Sequence, residues 1–135
     1  MNQEQIDNHV REITKYHQML EQTPKENKRK RIELLSEQLV YIGKLAGEFS
    51  EVYKMTYAAR KQVQYEAEVE AAEQRLKGGK EAHGELAAVE WRKKEAEAYG
   101  NMKRWGNAFI STDNLIQALK FDIKIDMNNS PNIGA

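Results

Sequence analysis

At 135 residues the chain has the length of one domain, and with 31% charged against 40% hydrophobic residues it is surface-rich. Its 21 basic side chains balance 21 acidic ones, so there is no global pull toward nucleic acid, and any such binding must come from local clusters. It has no cysteine, which excludes disulfides, zinc-thiolate sites and cysteine catalysis, and no apolar run approaches membrane-spanning length.

The start, Met-Asn-Gln-Glu-Gln, is polar and acidic, without the basic and apolar regions of a signal peptide, so a cytoplasmic location is expected (the host cytoplasm if the chain is phage-encoded). Residues 2–22 read as an amphipathic helix. Asn2 is its N-cap, with Gln5 three residues on, and Ile6, Val10, Ile13, Tyr16 and Leu20 form its stripe. His17, at the edge of the stripe, reads as a packed or half-exposed histidine.

Thr23-Pro24-Lys25-Glu26 is a helix-start signal: a capping threonine, proline at the first helical position and a glutamate completing a capping box. It predicts a long helix over 24–77. Ile32, Leu35, Leu39, Ile42, Ala46, Phe49, Tyr53 and Thr56 alternate at three and four residues, which is a heptad seam. Beyond Thr56 smaller residues continue the seam. Three of the eight glycines, Gly78, Gly79 and Gly84, then mark a bend over 78–84.

A return arm is expected over 85–127, with Val89, Ala96, Tyr99, Met102, Phe109, Ile116, Leu119 and Ile123 as its stripe. Ser111-Thr112-Asp113-Asn114 reads as a kink or a fresh helix start. From Phe121 to Met127 apolar and charged residues alternate, which fits a helix end or a short strand. Residues 128–135 read as a disordered tail. Folding back at the glycines sets Val63 opposite Tyr99 and Leu39 near Ile123. Gly43, Gly47, Gly100 and Gly106 inside the arms suggest close helix contacts, kinks or an oligomer interface.

The expected fold is therefore all-α: one helical domain over 1–127, an elongated antiparallel helical hairpin with an additional N-terminal helix. An arm of about 50 residues would be ~75 Å long. Such a hairpin buries one seam and leaves other apolar positions wet, so a homo-oligomer is expected.

No catalytic set is found. Gly78-Gly79-Lys80-Glu81 lacks the spacing and the Ser/Thr of a phosphate-binding loop, the histidines are scattered at 9, 17 and 83, and there is no metal-ligand spacing. No enzyme activity, cofactor or metal is expected. The charge outlier is Lys25 to Arg31, with five basic residues and one acidic. Cations at a helix start oppose the positive end of the helix dipole. Two readings follow for Lys28, Arg29, Lys30 and Arg31: contact with a nucleic-acid backbone, or a basic turn paired with acidic neighbours in an oligomer. Further basic groups stand at Arg60-Lys61, at Arg75, Lys77 and Lys80 along the bend, at 92–94 and at Lys103-Arg104. Tyrosines nearby are suited to stack on unpaired bases.

The second arm carries Trp105-Gly106, then Ile116, Ala118-Leu119-Lys120 and Ile123-Lys124. With the order of long helix, Arg75-Leu76, Gly-rich bend, charged helix and Trp-Gly, this resembles the UvsY family of phage recombination mediators over about 32–127. The resemblance implies a ring-like homo-oligomer of small helical subunits. It would bind single-stranded DNA and help a RecA-like recombinase displace the single-strand-binding protein. In that family a Lys-x-Arg before the bend contributes to DNA binding. Arg75 falls on the arginine, but Glu73 stands in place of the lysine, and the bend is shorter. The sites expected to hold DNA are thus Lys28, Arg29, Lys30, Arg31, Arg75, Lys77 and Lys80. The alternative function is a helical protein–protein adaptor or inhibitor that touches no nucleic acid, favoured by the neutral charge and long apolar stripes.

Overall fold

The structure, a computed structural model, describes residues 1–129. It is all-helical, with α1 (Gln3–Glu21), α2 (Lys28–Glu73), α3 (Lys80–Ala87) and α4 (Val89–Asn128), and no strand among the described residues. Within the described residues no helix is long and apolar enough to cross a membrane. The chain divides into two compact units. One comprises Met1–Ala46 with the chain from Trp105 onward, and the other is Gly47–Arg104.

The first unit packs α1 and the ends of α2 and α4 that fall within it. The expected capping box starts α1: the Asn2 side chain accepts from the Gln5 N–H at 2.9 Å, and Gln5 Oε1 accepts from the Asn2 N–H. Leu20, Leu34, Leu35 and Ile116 form the core, with Tyr16, Ile32, Leu39 and Leu119 packed on it. Each such leucine or isoleucine, removed from water, contributes roughly 1.5–3 kcal/mol. The heptad seam of α2 accounts for Leu35 and Ile42. A second buried row, Leu34, Gln38 and Leu45, was not anticipated. It joins α2 to α1, because the Gln38 amide donates to the Ile13 carbonyl at 3.1 Å. Tyr16 stacks on Tyr41, whose ring also meets His9, so α1 supplies the partners that a bare hairpin would lack.

The start of α2 differs from expectation. The Thr23 hydroxyl donates back to the Met19 carbonyl at 2.7 Å and is not a cap for α2. Pro24 to Glu26 form a turn instead, closed by the Asn27 N–H on the Pro24 carbonyl. Asn27 then caps the helix, its side chain accepting from the Lys30 N–H. Asparagine caps at least as well as threonine, and the threonine oxygen is already occupied.

The second unit has a thinner interior. Its buried apolar residues are Ala71, Ala88 and Ala98, joined by Arg60. Arg60 forms a fork on Glu95, with Nε donating to Oε2 and Nη2 approaching Oε1 at 3.5 Å. The two side chains are only 11% and 17% exposed. In this unit the inward residues of α4 are Trp91, Glu95, Ala98 and Met102, and in the first unit they are Trp105, Thr112, Ile116, Leu119 and Ile123, a heptad-like spacing hidden in the sequence by its polar and small members. Val89, Tyr99 and Phe109, expected in the stripe, are exposed.

The bend is earlier and tighter than 78–84. α2 stops at Glu73, not 77, and closes with a Schellman motif: the Leu76 N–H bonds the Ala71 carbonyl and the Arg75 N–H the Ala72 carbonyl. Arg75 occupies the left-handed position at φ 52°, and Gly78 and Gly79 follow at 96° and 80°. Gly84 lies inside α3, buried against the Glu68 side chain. The shorter path resets the pairing of the arms, so Tyr53, not Val63, meets Tyr99. Within the first unit Gly43 meets Phe109, and Lys28 meets Asp126. α4 passes through Ser111 to Asn114 without a break, and 121–127 is helix. Asn128 is the last helical residue and Asn129 a turn; the rest of the expected tail, 130–135, lies outside the described residues.

Candidate nucleic-acid interface

The basic cluster at the start of α2 is partly occupied by structural work. Arg31 Nη1 donates to the carbonyls of Leu20 and Thr23 at 3.0 and 3.2 Å, holding the C-terminal end of α1. Lys28 Nζ lies 2.7 Å from Asp126 in the last turn of α4. The Asp126 hydrogen bond holds the Lys28 ammonium above its ordinary pKa, against a smaller opposing desolvation, with attraction from Asp126 and Asp122 adding to it. The cations oppose the dipole of α2 but sit at the negative ends of α1 and α4, which accounts for both residues. Lys30 is 3.7 Å from Glu33, an exposed pairing within one helix turn. Arg29 is exposed beside a shallow groove lined by Asn27, Ile123 and Met127. Of the four predicted contacts here, Lys28 and Arg31 are therefore committed within the fold.

The bend presents the opposite case. Arg75, Lys77 and Lys80 are exposed, and none forms an ion pair among the described residues. Their backbone is fixed by three consecutive constraints: the Schellman closure, the two positive-φ glycines, and His83, whose Nε2 lies 2.6 Å from the Lys77 carbonyl and donates to it when protonated there.

A third group, in the same unit, was only touched on by sequence reasoning. Tyr53 lies 6.3 Å from Tyr57 and 5.5 Å from Tyr99, between ring centroids. Lys61 stands 4.9 Å over the Tyr57 ring and Lys103 5.6 Å over the Tyr99 ring. Two shallow grooves of about 280 Å³ each adjoin this row. One is lined by Tyr53, Glu95, Ala96 and Tyr99, the other by Lys61, Gln64, Tyr65 and Glu68, and Arg92 lines both. The row was illegible because the sequence alignment of the arms was displaced.

Other features are explained by packing. A larger groove of about 610 Å³ in the first unit is lined by Leu35, Ile42, Leu115 and Leu119, with the engaged Arg31. Trp105 and Leu119 face inward, while Ala118 and Lys120 are exposed. His17 is exposed and 3.0 Å from Glu21. Among the described residues there is no group of three or more metal-ligating side chains. No protein-family model, curated protein or solved structure matches this chain.

Proposed function

We propose that this chain is a non-enzymatic accessory protein that holds single-stranded DNA by its backbone, in the manner of the phage recombination mediators its sequence resembles. The observation that carries the reading is the bend. Among the described residues Arg75, Lys77 and Lys80 form no ion pair, a property they share with other cations such as Lys61 and Lys103, but these three gather within six residues at one turn. Unpaired, exposed cations on a rigid turn suit phosphate contact, each neutralised phosphate adding salt-dependent affinity. Arg29 and Lys30 are secondary contacts in this reading, and Lys28 and Arg31 are withdrawn from it. The partners proposed are a RecA-like recombinase and the single-strand-binding protein it must displace.

The test is a salt titration of binding to a fluorescent single-stranded oligonucleotide, with duplex as competitor. Lys77→Ala with Lys80→Ala is expected to weaken binding and to lower the slope of log affinity against log salt by about 1–2. Absence of binding at low salt by the folded wild-type protein would remove the DNA reading.

The adaptor reading keeps one observation in its favour. Asn107, Ile110, Asn114, Ala118, Phe121 and Ile125 recur at three and four residues on the outer face of α4, all exposed and none charged. We assign this face to a second copy of the chain. An isologous contact sets a patch against itself, where an uncharged face meets no like-charge repulsion.

A further inference from the structure

We propose that the row Tyr99, Tyr53 and Tyr57 is a stacking platform for unpaired bases, distinct from the phosphate contacts at the bend; this rests on the single-strand reading above. Three tyrosines form a continuous run across two helices of the second unit, at centroid separations of 5.5 and 6.3 Å. Tyr57 and Tyr99 are 36% and 45% exposed. Lys103 stands over Tyr99 at one end and Lys61 over Tyr57 at the other, where the buried Arg60 guanidinium also lies 5.2 Å from the ring.

Charge around the row favours an anionic polymer. Glu95 is taken by Arg60, so it does not repel a strand lying there. Arg92, which lines both grooves beside the row, reaches Glu85 only at 3.9 Å with both side chains largely exposed. Lys61 and Lys103 are thus available for phosphates, and Arg92 becomes so on leaving Glu85, with Glu68, Glu85 and the paired Glu95 as nearby carboxylates. An ammonium over an exposed ring is held more weakly than a stacked base, so a base displaces it. The displaced lysine then remains within a side chain's reach of that nucleotide's phosphate. Base and phosphate are met by the same pair of residues at each end. Duplex DNA, whose bases are already stacked on each other, offers no face to the row.

The experiment compares a fluorescent oligothymidylate with an abasic strand of equal length, which has the same phosphates and no bases, at one low salt concentration. The full chain is used as wild type, Tyr57→Leu, Tyr57→Phe, Tyr99→Leu and Tyr99→Phe, with helical content checked by circular dichroism. Wild type is expected to prefer oligothymidylate by about tenfold or more. Each leucine variant should lose about tenfold for oligothymidylate and little for the abasic strand, and each phenylalanine variant should retain the preference. Equal wild-type affinity for both strands overturns the stacking platform and leaves the phosphate reading standing. A base preference unchanged in both leucine variants also overturns it, placing the bases elsewhere. Binding to neither strand removes the single-strand reading and the platform with it.

Discussion

Arg75 is the described non-glycine residue with a positive φ, and it sits where a Schellman motif favours glycine. A β-carbon in the left-handed region costs roughly 1–2 kcal/mol, and glycine returns part of that through its freer unfolded state. Arg75→Gly is therefore expected to stabilise the fold by roughly 0.5–1 kcal/mol, read as a rise of a few degrees in the thermal midpoint. If Arg75 contacts phosphate, the same variant binds single-stranded DNA less well while folding better, which separates its two roles. Arg31 has the reverse signature. Its guanidinium bonds the Leu20 carbonyl in the last turn of α1 and the Thr23 carbonyl just beyond it, so Arg31→Ala should cost roughly 1–2 kcal/mol, measured as a lower urea midpoint with an unchanged m-value. The sequence shows both arginines as members of basic clusters. Only the placement of α1's final carbonyls shows that one of them is a structural cap, and no local pattern in 28–31 encodes that.

The glycines divide the elements in the same way. Gly100 and Gly106 in α4 have nothing within 4 Å of where a β-carbon would stand, whereas at Gly84 that atom would lie 2.5 Å from Glu68 Cγ. Helix propensity alone favours alanine by about 1 kcal/mol at each. Gly100→Ala should accordingly raise stability by roughly 0.5–1 kcal/mol, while Gly84→Ala should lower it by about 1 kcal/mol as Glu68 is displaced. Equal stabilisation by both substitutions in chemical denaturation would show that α3 is not held closely against α2. Of the four glycines inside the arms, Gly43 alone has a close neighbour, the Phe109 ring at 3.2 Å. The existence of the helices, the capping box at Asn2 and the α2 seam from Ile32 to Ile42 were legible, because period and cap chemistry are local. The arm alignment was not. It depends on where α2 terminates, and the terminating residue is an arginine in a glycine's conformation. The inward residues of α4 were also obscured, since Glu95 is largely buried with its partner Arg60 and Thr112 beside a groove shared with Gln38 and Ile42, while Phe109 and Ile110 stay outside.

For the whole molecule, folding leaves apolar surface on the outer face of α4, which is the face proposed above for a second copy of the chain. Phe121 and Ile110 are 62% and 58% exposed, on the face of α4 opposite the seam that holds Thr112, Ile116 and Leu119. The uncharged run from Asn107 to Ile125 covers about 28 Å of helix. Two such faces in contact would bury on the order of 1,000 Å², the lower edge of a specific interface, so the proposed association should depend on concentration and be sensitive to one charge. Light scattering should give multiples of 15.6 kDa for the wild type at high concentration. Phe121→Glu or Ile110→Glu should shift the mass toward a single chain without loss of helical content, because neither side chain belongs to the core. Single-strand affinity should then fall by more than the loss of any one contact predicts, since an oligomer presents several bends and tyrosine rows to one strand, and tethered sites bind at high effective concentration. A wild type that stays monomeric at high concentration would assign the face to a different protein, and the adaptor reading would then take precedence over the DNA reading at this surface. An oligomer whose mass survives both glutamates would move the interface to other exposed apolar residues, such as Val52 and Met55 in the second unit.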